Sequence, residues 1–255
     1  MKLDGRILYL TDDTDLIQSQ LDGADLTLSA DADMHYGVNT DGMISGRACT
    51  LGYTPAILGP YFLENFKETV SKDDVRTGGF QVIVGGDAYG SGSSREVAVV
   101  AHVGAGIQLV VARSFQRIFQ ENMVYAGMPF TTDYGVLDRL RAGEDVDIST
   151  FFDELPPFFN QVANVGGLLP YANAWLKGQV DPWYETETQA RPLNVVEKIV
   201  AARAWAGGGP GAGEGPQFGI SSVGPGDQVL CRAGFRGMHE YTAGMVMALY
   251  EEAFG

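Results

Sequence analysis

The residues best suited to chemistry lie in one stretch, Gly85–Val100, with the sequence GGDAYGSGSSREVAVV. An apolar run, Phe80–Val84, leads into it and another apolar run follows. That pattern predicts a strand, a glycine-rich loop, and a helix starting around Ser93–Arg95. Glycines at 90 and 92 let backbone approach a ligand closely, and unpaired N–H groups at a helix start favour an anion. Three familiar loops are excluded residue by residue. A phosphate P-loop needs a lysine that is absent here. The dinucleotide fingerprint fails where Arg95 stands in place of its last glycine. The hydrolase elbow fails because neither Ser93 nor Ser94 is flanked by glycines two residues away on both sides. What remains is Ser-Ser-Arg-Glu. A serine hydroxyl works as a base only when its alkoxide is stabilised, which helix-start N–H groups and a guanidinium can do. Arg95 can also clamp a carboxylate through two parallel hydrogen bonds. The competing reading is that Ser93 and Ser94 merely cap the helix while Arg95 is solvated. The residues alone leave both open.

The surrounding elements have to place that loop. Arg6–Leu10, Phe80–Val84 and Ile107–Ala112 read as short buried strands. Phe115–Ala126, Val136–Arg141 and Phe158–Val165 read as helices. Tyr61–Val70 has helical spacing, with Phe62, Phe66 and Val70 on one face. Alternating strands and helices over the first 170 or so residues predict one α/β unit. Residues 177–190 read as a linker. Beyond them, Val195–Trp205 reads as a helix, Gly207–Gly215 as a flexible loop, Gln228–Arg232 as a strand and Thr242–Ala253 as a closing helix. The stretch 191–255 is too short for a full core of its own and should complete itself against something else.

Composition bounds the function. The chain has 255 residues, with 17 Lys+Arg against 32 Asp+Glu, a formal charge of −15. Such an acidic chain is ill-suited to nucleic acid or to anionic membranes. No signal peptide and no membrane-spanning run is apparent, so a cytoplasmic protein is expected. Cys49 and Cys231 are the only cysteines. Two thiols cannot build a disulfide scaffold, a four-cysteine zinc site, or the three-thiolate seat of an iron–sulfur cluster.

The segment Tyr89-Gly90-Ser91-Gly92-Ser93-Ser94-Arg95-Glu96 resembles the YGxGSSREH signature of the aconitase superfamily. Ser114–Phe119 with Asn122 resembles its SFARI…N segment, and Gly127–Phe130 its GLLPL. Asp12–Ile17 resembles the DxDTDxI of isopropylmalate dehydratase small subunits, and Gly166–Tyr171 their GGLxPY ending. Residues 1–176 therefore resemble the family's swivelling β/β/α domain. The tail resembles the opening of a large subunit: Arg191–Val200 its TxAEKIL start, Val223–Asp227 its VxPGD, and Met238–Ala243 its M-(Q/H)-D-x-T-A stretch. The resemblance thus implies a swivelling domain (1–176), a linker (177–190) and a partial aconitase-type α/β/α domain (191–255).

By that resemblance the protein is a hydro-lyase subunit that dehydrates and rehydrates a small 2-hydroxy di- or tricarboxylate. Ser93 is implied as the base on carbon. Arg95 is implied to bind carboxylate, with Ser91, Gly92 and Ser94 lining the substrate and His239 touching it. A 4Fe–4S cluster is implied on a cysteine-bearing, large-subunit-like partner chain, with no metal ligand on this one. Arg117 reads as structural, and His35 and His102 as ordinary surface or packing residues. The chain departs from the family pattern at Val97, where a histidine is usual, at Gly234, near a usual acid, and at Glu240, in place of an aspartate. Leu21–Leu26 falls where related small subunits carry a specificity loop, and its Leu21, Ala24 and Leu26 suggest an apolar substituent on the substrate. The alternatives are a non-catalytic interaction subunit, or a lyase using the same loop with another metal or none.

Overall fold

Strands form where β-branched and aliphatic residues run without interruption. In a computed structural model the described residues are 1–182, 185–209, 213–237, 243–244, 246–247 and 250–251. Contacts divide the chain into two units, Met1–Glu154 and Leu155–Gly255.

The first unit holds β1 (Arg6–Tyr9), β2 (Phe80–Gly85), β3 (Leu109–Ala112) and β4 (Phe130–Thr131), paired in that order and all parallel. A parallel neighbour requires a crossover. Between β1 and β2 the chain makes α1 (Thr14–Leu21) and four single turns: α2 (Thr40–Met43), α3 (Gly46–Cys49), α4 (Pro55–Leu58) and α5 (Asp74–Thr77). The helix α6 (Glu96–Gly104) joins β2 to β3, α7 (Arg117–Tyr125) joins β3 to β4, and α8 (Gly135–Arg141) follows. Val82, Ile83, Val84 and all of Leu109–Ala112 are fully buried. That explains why these strands read as continuous apolar runs instead of alternating ones. Ile7, Tyr9, Val82, Val84, Leu109 and Val111 share one face and cluster with Val136, Leu137 and Leu140 of α8. The alternate residues Leu8, Ile83 and Val110 are buried on the other. The expected mixed α/β architecture is therefore present.

Tyr61–Val70 is not a helix. Leu63, Asn65, Lys67 and Glu68 take left-handed backbone conformations, and only short 3₁₀ turns form at Gly59–Tyr61 and Phe66–Glu68. Phe62, Phe66 and Val70 are nonetheless all buried, so their spacing reported burial and not conformation. Near the amino ends of the strands, the Arg6 guanidinium donates to the carbonyls of Gln20 and Ala24 and pairs with Asp25.

The second unit contains α9 (Pro157–Asn164), α10 (Leu168–Leu176), α11 (Val195–Arg203) and an antiparallel pair, β5 (Trp205–Gly209) with β6 (Glu214–Phe218). Contacts therefore group α9 and α10 with the tail, whereas the sequence reading groups them with the first 176 residues. Asn194 opens α11 with a reciprocal capping box to Glu197. Of the expected flexible loop at Gly207–Gly215, residues 207–209 belong to β5 and residues 214–215 to β6, while residues 210–212 lie outside the described residues. Residues 185–188 are tied down as well. Glu185 bridges Gln228, and the Asp227 carboxylate accepts from the Glu187 and Thr188 amides. Gln228–Arg232 makes isolated bridges and no full strand. Of Thr242–Ala253, the described residues 243–244, 246–247 and 250–251 are helical. Cys49 is buried in the first unit and Cys231 is exposed in the second.

Candidate active site

The carboxyl end of β2 runs through Gly85-Gly86 into the loop that ends at α6. Tyr89 anchors the loop's start. Its amide donates to the Ser114 carbonyl and its carbonyl accepts from Gln116. Its ring is fully buried against Phe115 and Phe119. Its hydroxyl lies 2.7 Å from Nε2 of buried His102 on α6, whose Nδ1 lies 2.7 Å from the Ala98 carbonyl. The carbonyl can only accept, so Nδ1 carries the proton and Nε2 receives the Tyr89 hydroxyl. Burial pushes His102 down to about 4 and the Tyr89 phenol well above its ordinary range. His102 is thus a neutral core residue pinning the loop to the helix. Gly90 has to be glycine. Its φ is +81°, and a Cβ there would sit 2.1 Å from the Phe119 ring.

The helix begins one residue later than expected. Arg95 occupies the cap position of α6, and no side chain caps its first N–H groups. Ser93 and Ser94 are therefore not capping residues. Both are exposed, which leaves the Ser93 hydroxyl open to a ligand beside the uncapped helix start. The Ser94 carbonyl accepts from Asn122 Nδ2 at 3.4 Å. Burial raises the Glu96 carboxyl in the first turn.

A segment that sequence reasoning missed, residues 37–46, lies along the loop. Ser91 donates its hydroxyl to the Gly37 carbonyl at 2.9 Å, and the Gly90 amide donates to the Val38 carbonyl at 2.8 Å. The Thr40 amide donates to the Ser91 carbonyl, and the Thr40 hydroxyl meets Ser93. Arg95 Nη1 pairs with Asp41 at 2.5 Å and donates to the Ile44 carbonyl at 3.2 Å. Cys49 lies close enough to Arg95 to feel its charge, although burial still raises the thiol. Asn39 and Ser45 each cap a single helical turn. Capping residues were the available signal in the sequence, but nothing in it places them against a loop some fifty residues away.

The remaining expected residues divide. Ser91, Gly92, Ser93, Ser94 and Arg95 lie consecutively on the loop that leads into α6. His239 and Glu240 lie outside the described residues. Leu21–Leu26 is held near the strands' amino ends by Arg6, whereas the serine loop leaves β2 at its carboxyl end. The segment beside the loop is 37–46 instead. Arg117 is not a buttress: its side chain is 83% exposed, with Glu121 at 3.7 Å. His35 pairs with Asp12 at 2.7 Å, and Lys67 also reaches Asp12. Those two partners hold the Asp12 carboxyl below its usual range, the Lys67 hydrogen bond most strongly. No three His, Cys, Asp or Glu side chains gather as a metal-ligand group among the described residues. An iron–sulfur cluster of the aconitase type does not fit the described residues of this chain. No helix among the described residues is long and apolar enough to cross a membrane.

A glycine-serine loop thus leaves the carboxyl edge of a parallel sheet and ends on an arginine at an uncapped helix start, an arrangement that offers hydrogen-bond donors to an anion. The family model described as the aconitase C-terminal domain matches residues 66–132, which include that loop and α7. The chain is 38% identical over 114 residues to the 3-isopropylmalate dehydratase small subunit of Pyrobaculum calidifontis, covering 44% of this chain and 68% of that one. It is 30% identical over 161 residues to the small subunit of the same name from Caldicellulosiruptor saccharolyticus, covering 57% and 89%. With the isopropylmalate/citramalate isomerase small subunit of Methanocaldococcus jannaschii it shares 35% identity over 104 residues, 35% of this chain and 62% of that one. The chain belongs to the aconitase family, and the relatives it resembles there include isopropylmalate dehydratase small subunits.

Proposed function

We propose that this chain is the subunit of an aconitase-type hydro-lyase that presents the proton-transferring serine and a carboxylate-binding arginine to a small 2-hydroxy di- or tricarboxylate. The observation that carries the reading is the placement of an exposed Ser93 hydroxyl and the Arg95 guanidinium together at the uncapped start of α6. Relatives named for isopropylmalate and citramalate favour a dicarboxylate with an apolar branch. Arg95 holds one substrate carboxylate and so fixes which carbon faces Ser93. Ser93 takes the proton from that carbon in dehydration and returns it in hydration, while the helix-start N–H groups stabilise its alkoxide. Ser91, Gly92 and Ser94 line the substrate with backbone and hydroxyl groups, and His239 contributes from the tail.

The family's chemistry also uses a 4Fe–4S cluster as a Lewis acid on the substrate hydroxyl. A large-subunit-like partner bearing three further cysteines would hold it, and residues 191–255 read as a fragment of the same kind of domain. Co-purification with a co-expressed cysteine-bearing large-subunit chain tests this. A brown hetero-oligomer that dehydrates 2-isopropylmalate or citramalate is expected. Full metal-free turnover by this chain alone, or a well-formed complex with no dehydratase activity, would overturn it.

A further inference from the structure

We infer that Arg113 is a positioning residue for the serine loop, clamping a strap that has no pairing of its own onto the loop's root at Asp87. The inference rests on the functional reading above and extends it to a residue outside the loop. The strap is residues 24–33, which form neither helix nor strand. Its Leu26, Leu28 and Ala32 pack against the core cluster of the sheet. Among the described residues, the amides of 25–31 make no backbone hydrogen bond. Guanidinium groups take the strap's carbonyls instead. Arg6 holds Ala24 near the strands' amino ends, Arg141 donates to the Leu26 carbonyl at 3.2 Å, and Arg113 grips the far end.

Arg113 directly follows β3 at its carboxyl end. Its Nε and Nη2 donate to the Ala30 carbonyl at 3.0 and 2.7 Å, and Nη2 also donates to the Ala32 carbonyl. Its Nη1 lies 3.6 Å from the Asp87 carboxylate, and its amide donates to the Gly86 carbonyl at 3.2 Å. Of the three arginines, Arg113 alone joins the strap to the loop among the described residues. A planar guanidinium can face all of these partners at once, which a point charge cannot. The root needs such a hold. Ala88 takes a left-handed conformation, with a φ of +57°, which an alanine keeps only where its surroundings over-determine it. The Ala88 amide donates to the Ser114 hydroxyl at 2.9 Å, and the Asp87 carbonyl accepts from the Gly37 amide at 2.8 Å. Arg113 adds the restraint on the Asp87 side chain. Without it Ala88 is free to relax, and the chain carrying Ser93 leaves β2 in another direction.

The reconstituted complex, assayed with 2-isopropylmalate and citramalate, tests the role. Arg113→Met keeps the stem and loses the fork, so kcat should fall by about tenfold with KM held within about twofold. Asp87→Asn should lower kcat by about threefold, and the double variant should be no slower than Arg113→Met, because both changes remove one link. Arg141→Met loosens the strap away from the loop and should leave kcat within about twofold of wild type. Hydrogen exchange on the full chain without partner gives a readout independent of activity. The amides of Gly37 and Ala88 should exchange faster in Arg113→Met than in wild type, with β2 and β3 unchanged. If Arg113→Met does not fold, Arg113→Lys takes its place in both measurements. Unchanged kcat, or unchanged exchange at 37 and 88, would overturn the role of Arg113. So would losses that multiply in the double variant, or an equal loss of kcat in Arg141→Met. Ser93→Ala serves as the reference. If it is as active as wild type, the functional reading fails. If it is dead while Arg113→Met is normal, only this inference fails.

Discussion

At the scale of single residues the fold uses two kinds of side chain around the loop: exposed groups such as the proposed base, and buried groups that hold the loop in place. Ser93 is of the first kind. In the assembled complex Ser93→Ala should leave partner binding intact and lower turnover by about 10³-fold, in the range that removal of a general base costs. Parallel measurements of complex stoichiometry and turnover check it. Arg95→Lys retains the charge and loses the planar fork, so KM should rise by about tenfold while assembly is unaffected. His102 is of the second kind. Held neutral in the core at about 4, it resists a proton that the unfolded chain accepts near 6.5. Its contribution to stability is therefore full above about pH 6.5, falls as pH drops toward 4, and is lost below that. The total is on the order of 3 kcal/mol. Urea unfolding between pH 7 and 4 should show a steeper loss for wild type than for His102→Gln. Equal slopes would remove His102 as the cause.

At the scale of elements, close backbone approaches set the loop and α6 in place. A Cβ at Gly104 would lie 2.0 Å from the Pro55 carbonyl oxygen, and one at Gly59 would lie 2.2 Å from Gly104. The carboxyl end of α6 thus rests backbone to backbone on the α4 turn, while its amino end carries Arg95. Gly90→Ala and Gly104→Ala should each destabilise by about 3 kcal/mol or more. Gly143 provides the comparison. It shares a positive φ of +79° but has nothing near its Cβ position, so Gly143→Ala should cost only about 1 kcal/mol. Thermal melts of the three variants test the ordering. These contacts also show what the sequence could convey. Strands β2 and β3 were legible because unbroken apolar runs have one stable use, burial on both faces. Helices α6 to α9 were legible to within a few residues for similar reasons. Tyr61–Val70 misled because Phe62, Phe66 and Val70 keep helical spacing while backbone hydrogen bonds between Asn65 and Val70, and from Leu63 to Met43, shape it otherwise. The loop was legible because Ser91–Arg95 is contiguous. Thr40 and Asp41 were not, since their meaning depends on a contact 53 residues away that no local periodicity encodes.

At the scale of the whole chain, every hydrogen bond and ion pair described around Ser91–Arg95 arises within Met1–Glu154. A fragment of those residues should fold in one cooperative transition and protect the 91–95 amides as the full chain does. Calorimetry and hydrogen exchange on the fragment check this, and a broad or absent transition would show that the unit depends on the tail. With a charge of −15, the proposed dianionic substrate would meet an unfavourable overall field, which would make the local positive charge of Arg95 more important. The two thiols, finally, differ in reach: Cys49 is buried beside the site and Cys231 lies exposed in the other unit. A maleimide dye applied to the native chain should therefore attach at Cys231 alone. That would give a fluorescent reporter of subunit encounter that leaves the chemistry around Ser93 untouched.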